Sequence, residues 1–107
     1  MTNFKNETLQ VLESKNKKQK DILFATDGKN YIDKDEFFEL ADFNYDDGFG
    51  GNEIFMGLKL VGKDFWLERH EYDGSEWWEY KTMPTKPEHK DKIIIKEEDY
   101  DWTANLK

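Results

Sequence analysis

Two sets of residues in this chain have the types that chemistry uses. The first lies in FWLERHEYDGSEWWEYK, residues 65–81, where one His and four Glu stand among six aromatic rings. A His between acids suggests a metal ligand or an acid–base pair. Adjacent residues of a strand point to opposite faces, however, so His70 and Glu71 cannot meet on one ion. His89 falls in a separate loop, residues 84–92, with no fixed relation to His70. With two His, no Cys and neither an H-E-x-x-H nor a nucleophile-elbow pattern, the chain lacks the residues for zinc or triad chemistry. No catalytic residue and no cofactor is expected. Glu68 and Glu79 have the types of a coupled carboxylate pair; the plainer reading is two exposed acids that repel each other.

The second set is Asp42-x-Asn44-x-Asp46-Asp47-Gly48, followed by Glu53. Its oxygens stand at the first, third, fifth and twelfth places of a loop, as calcium ligands do in an EF-hand, and EFFELADF supplies an entering helix. Against this, the sixth place holds Asp47 where the turn wants Gly, the segment after Glu53 alternates like a strand, and no second copy is present. The other reading is an acidic glycine loop whose Asp side chains cap local backbone donors.

The elements that position these residues follow from spacing. Phe4, Thr8, Val11 and Leu12 share one helical face, which predicts a short amphipathic helix over about residues 4–15. KNKKQK, residues 15–20, reads as a solvated basic loop. DILFAT, DGKN and YID read as a strand, a turn and a short return. Asp33 and Glu36 have the spacing of a capping box, so a second helix should begin there and end before NYDDGFGG.

Tyr72-Asp73-Gly74-Ser75 predicts a type I′ hairpin, because both central positions need positive φ and Asp-Gly tolerates it. Counting outward pairs His70 with Trp77, Arg69 with Trp78, Glu68 with Glu79 and Leu67 with Tyr80. Val61-Gly62-Lys63-Asp64, read as a type II′ turn, pairs Leu60 with Phe65, Leu58 with Leu67 and Met56 with Arg69. One face of the resulting meander gathers Ile54, Met56, Leu58, Leu60, Phe65, Leu67, Trp78 and Tyr80 as a core, with Arg69 placed to stack on Trp78 or to pair with a carboxylate. The other gathers Phe55, Lys59, Val61, Trp66, Glu68, His70, Tyr72, Trp77 and Glu79. A solvated face would not normally carry two Trp and a Tyr; either the first helix or KIIIK, residues 92–96, covers part of it, or it is a recognition surface. KIIIK predicts a last strand with Lys guarding an edge. EEDYDW follows as an acidic, aromatic tail.

The fold class expected is therefore α+β, an antiparallel meander of about three to five strands packed with two helices. One domain spans residues 1–107, with residues 1–3 and 97–107 as loose ends. The net charge is −8, and residues 35–82 alone hold −9, with 4 basic against 13 acidic side chains. That balance disfavours nucleic acid and anionic membranes and favours a basic partner. The absence of Cys suits a reducing compartment, and no basic leader runs into an apolar stretch, so a cytoplasmic protein is expected.

Residues 33–81, above all LADFNYDDGFGG and FWLERHEYDGSEWWEYK, resemble small uncharacterised acidic proteins of bacteriophages and prophages of low-GC Gram-positive bacteria. In size, acidity and want of a catalytic signature the chain is also similar to phage-encoded inhibitors, including anti-CRISPR proteins that block Cas9-type effectors. The resemblance implies a non-enzymatic accessory protein in the cytoplasm of an infected or lysogenic host. It would bind a host or defence protein and compete with nucleic acid through carboxylates. Glu68, Glu79, Asp46 and Asp47 are the expected charges, with Trp66, His70, Tyr72 and Trp77 beside them. The alternatives are a calcium module using Asp42, Asn44, Asp46 and Glu53, and a virion or morphogenesis component.

Overall fold

The computed structural model describes residues 1–48, 51 and 53–100. They form an α+β fold with a five-stranded antiparallel sheet, a two-stranded ribbon and two helices. β1 (Thr2–Asn3) leads directly into α1 (Phe4–Ser14), which follows the spacing of its apolar residues: Phe4, Thr8 and Leu12 are buried. Asn3 caps its start by accepting the Asn6 N–H. At the far end Asn16 takes a left-handed φ of 59°, while the N–H groups of Asn16 and Lys17 return to the Glu13 and Leu12 carbonyls. This is a Schellman termination with Asn in the place usually held by Gly. Thr2 and Asn3, expected as a loose end, pair with β4 (Asn44–Tyr45).

β2 (Ile22–Thr26) and β3 (Tyr31–Asp33) form the expected early hairpin. Its turn is held by the Asp27 carboxylate, which accepts the N–H groups of Lys29 and Asn30 and is thereby kept below the usual aspartate range. α2 (Lys34–Leu40) begins after Asp33 as expected, but the Asp33 side chain makes no capping hydrogen bond there. Backbone geometry alone starts this helix, and burial of Phe37 and Phe38 holds it.

β5 (Lys59–Gly62), β6 (Phe65–Tyr72) and β7 (Ser75–Thr82) follow, and the sheet order is β3-β2-β5-β6-β7. Between β6 and β7 every expected pair is present, from Tyr72 opposite Ser75 to Trp66 opposite Lys81. Asp73 and Gly74 both have positive φ, 50° and 86°, as a type I′ turn requires.

The preceding turn differs from the expectation. Leu60 pairs with Leu67 and Val61 with Trp66, so the register is displaced by two residues from Leu60 opposite Phe65. Gly62 does not have the positive φ of a type II′ turn. What it supplies is room, because a Cβ there would lie 2.2 Å from the Phe65 ring. A displacement of two preserves the faces of the sheet, so the division into inner and outer residues survives. β5 is also shorter than expected. Ile54, Phe55 and Met56 belong to the connection before it, and Phe55 lies beside Phe37, Leu40 and Ile54 on the helix side, not on the outer face.

One cluster forms the core: Phe4 and Leu12 from α1, Phe37 and Phe38 from α2, and Ala25, Leu60, Phe65, Leu67 and Trp78 from the sheet. α1 thus covers the inner face, which the sequence left open. Trp78 stacks on Phe4 at 5.5 Å and donates its indole N–H to Thr8 Oγ1 at 2.8 Å. KIIIK is not a strand: residues 91–95 have no regular structure, and Ile93, Ile94 and Ile95 are exposed. Of the acidic tail, Glu97–Asp99 forms one 3-10 turn, and residues 101–107, with Trp102, lie outside the described residues.

Candidate functional site: the outer face of the sheet

Strand alternation sends Trp66, Glu68, His70 and Tyr72 of β6, and Trp77, Glu79 and Lys81 of β7, to the side away from both helices. The pairing of β2 with β5 extends this face across Lys59 and Val61 to Phe24 and Thr26, and β3 adds Tyr31 and Asp33. None of these thirteen residues is buried. Tyr72 is 76 % and Trp77 37 % exposed, α1 packs on the inner core, and Ile93, Ile94 and Ile95 are themselves exposed, so neither the first helix nor KIIIK is the partial cover that the sequence allowed. The face is less purely acidic than expected. Lys59 stands opposite Glu68, and Lys81 opposite Trp66.

Its polar groups are ordered by one another. Trp66 Nε1 donates to Glu68 Oε1 at 2.7 Å, and His70 Nε2 meets Glu68 Oε2 at 3.0 Å. The indole N–H first, and His70 after it, hold the Glu68 carboxyl below the usual range, so it is a fixed negative charge at neutral pH. His70 Nδ1 faces Glu79 Oε1 at 3.8 Å, so the imidazole lies between the two carboxylates that the sequence set in opposition. Glu79 accepts no hydrogen bond among the described residues. Glu68 is therefore occupied within its own sheet, and Glu79 is the carboxylate left for an incoming cation.

Asp46 and Asp47 are elsewhere. Asp46 Oδ1 accepts the Gly48 N–H, its own N–H goes to Glu53, and the Asp47 carbonyl accepts the Glu76 N–H. Glu76, an inner-face residue, holds this loop with its carboxylate through the N–H groups of Glu53 and Ile54 at 2.8 and 3.0 Å. The loop acids thus belong to the helix side of the sheet and do not join Glu68 and Glu79. The four expected calcium ligands are also divided. Asp42 and Asn44 both accept from the Asn3 amide, and Glu53 accepts from Asp46. Among the described residues no three His, Cys, Asp or Glu side chains stand together as a metal ion would require. Phe49, Gly50 and Asn52 of this loop lie outside the described residues.

The inner face contains a polar cluster of which sequence reasoning saw one member. Arg69 is both stacked and paired. Its guanidinium lies 4.9 Å from the Trp78 ring and 5.2 Å from that of Phe4, and Nη2 donates to Glu76 Oε1 at 3.0 Å and to the Tyr45 hydroxyl at 3.1 Å. Tyr45 donates to Glu7 Oε1, while Arg69 Nη1 faces Glu7 Oε2 at 3.6 Å. Burial pushes the Glu7 carboxyl up despite both partners, and burial with the Glu7 contact pushes Tyr45 up. With its side chain out of solvent, this cluster is structural.

No family model, curated protein or solved structure matches this chain. No helix among the described residues is long and apolar enough to cross a membrane.

Proposed function

We propose that the chain is a non-enzymatic binding protein whose outer sheet face docks on a basic, nucleic-acid-handling surface of another protein and competes there with nucleic acid. One observation carries the reading: a five-stranded face that no described element covers presents Trp66, Tyr72 and Trp77 around a hydrogen-bonded carboxylate, Glu68, and one that accepts no hydrogen bond among the described residues, Glu79. Rigid aromatic side chains anchor protein interfaces at low entropic cost, and desolvated carboxylates select Lys or Arg over neutral partners. Same-face residues recur about every 6.6 Å along a strand, a spacing that places charge regularly against a groove built for phosphates. In the narrower form suggested by the resemblance, the protein is a phage accessory inhibitor acting in the host cytoplasm on a defence effector of the Cas9 type.

The test is binding of the purified protein to a panel of basic nucleic-acid-binding proteins at low and high salt. Affinity should fall with salt and with added nucleic acid. Glu79→Lys should weaken it about ten-fold or more, and Glu68→Lys less, since Glu68 is already engaged by Trp66 and His70. Binding indifferent to salt and to both reversals contradicts the proposal.

A further inference from the structure

On the helix side of the sheet, between α2 and the connection leading to β5, runs an open apolar groove of about 280 Å³. Phe37, Leu40, Phe43, Ile54, Phe55 and Leu58 line it. Leu40 and Phe55 are each 63 % exposed, an unusual amount of apolar surface for a chain that is otherwise highly charged. Its border is acidic. Glu53 lines it, and the exposed Glu36, Glu39 and Asp42 flank its lining residues in the chain. Among the described residues no Lys or Arg lines it, and Lys34, the basic residue of α2, is turned away to the Lys20 carbonyl.

The same chain carries a segment of the opposite kind. Residues 90–96 read Lys-Asp-Lys-Ile-Ile-Ile-Lys, with Ile93 and Ile95 78 % and 83 % exposed. In an extended segment these two side chains point the same way, while Lys92 and Lys96 leave from the other side at its two ends, where Lys96 meets Glu98 at 3.8 Å. The segment is not packed into the body: residues 82–99 are all exposed, and the chain's radius of gyration is 18.1 Å, against about 13 Å for a compact chain of this length. From Thr82, the last residue of β7, the chain to Ile93 spans up to about 36 Å when extended, enough to reach a neighbour.

We propose that residues 92–96 of one copy dock in this groove of a second copy, with Ile93 and Ile95 entering between Leu40 and Phe55 and the long Lys92 and Lys96 side chains bending back from the outer side toward Glu53 and the acids of α2. Each chain has one segment and one groove. A reciprocal exchange satisfies both in a two-fold dimer, whereas head-to-tail docking would leave a free segment and a free groove at the ends of an open chain; the dimer is the form proposed. It uses the side of the molecule opposite the outer sheet face, so the dimer presents two copies of that face.

Light scattering on the full chain over a hundred-fold range of concentration tests this. Mass should rise from monomer to dimer, with a midpoint moved upward by salt. Ile93→Asp/Ile95→Asp and Leu40→Lys/Phe55→Lys change exposed positions and should each weaken dimerisation at least about ten-fold while leaving the circular dichroism spectrum intact. An equimolar mixture of the two variants, which restores one intact contact, should associate more strongly than either alone. A constant monomer mass, including one in which the segment folds back on its own groove, overturns the proposal. So does a dimer that neither double variant weakens.

Discussion

Arg69 carries one positive charge into a region that also receives Glu7 and Glu76, so the cluster holds one carboxylate more than it can neutralise. Glu76 is the one the fold depends on, because it pairs with Arg69 and fixes the backbone at Glu53 and Ile54 together. Glu7 is the surplus charge, and burial holds its carboxyl above the ordinary value of 4.5. A carboxyl whose folded value is raised costs stability wherever both states are ionised. That cost is relieved as pH falls through the raised value and is absent below the ordinary one. Glu7→Gln, which still accepts from Tyr45, is therefore expected to match or exceed the parent in stability at pH 7, with the difference vanishing below about pH 4.5. Urea denaturation at the two pH values reads this out; a Gln variant clearly weaker than the parent at pH 7 contradicts it. The two options for Arg69 were legible because its register placed it opposite Trp78. Its acidic partners were not, since Glu7 and Glu76 are indistinguishable in sequence from the acids that remain in water.

At the scale of elements, the β6–β7 hairpin was the most legible part of the molecule. Asp73-Gly74 permits one tight turn, and eight pairs follow from it by counting. Gly74→Ala places a Cβ on a residue with φ of 86° and should cost about 1 kcal/mol, seen as a lower urea midpoint with an unchanged slope. Full parental stability would mean that the turn does not set the register. Gly62 illustrates the limit of such reading. A glycine can mark a positive φ or a close approach, and spacing cannot tell them apart; here the Phe65 ring decides. KIIIK fails for a related reason. Its β-propensity is real, but a strand needs a partner edge, and KIIIK, like the exposed residues 83–91 before it, is paired with none. The calcium spacing does not gather its four residues here, because the short β1–β4 pairing brings Asn3 onto Asp42 and Asn44, a contact some forty residues apart in sequence.

For the whole molecule, charge and burial divide the protein into two working sides. α1 and α2 cover the inner face completely enough to bury Leu60 and Leu67, and they leave the outer face to solvent. Within β5, β6 and β7 the sequence-derived sorting between these faces held even where the pairing moved by two, because displacement by an even number keeps each side chain on its side; Phe55, assigned to the outer face, precedes β5 and lines the helix side instead. What the sorting could not show was that His70 separates Glu68 from Glu79, or that Asp46 and Asp47 are bound into the opposite side. The central claim is that the outer face is the surface a basic partner meets. The indole N–H resonances of Trp66, Trp77 and Trp78 report on it directly, titrated with a purified basic nucleic-acid-binding protein followed by competing single-stranded DNA. Trp66 and Trp77 should shift, Trp78 should stay in place, and the DNA should reverse the change. Shifts confined to Trp78 or to residues of α2, with Trp66 and Trp77 unmoved, would contradict the account.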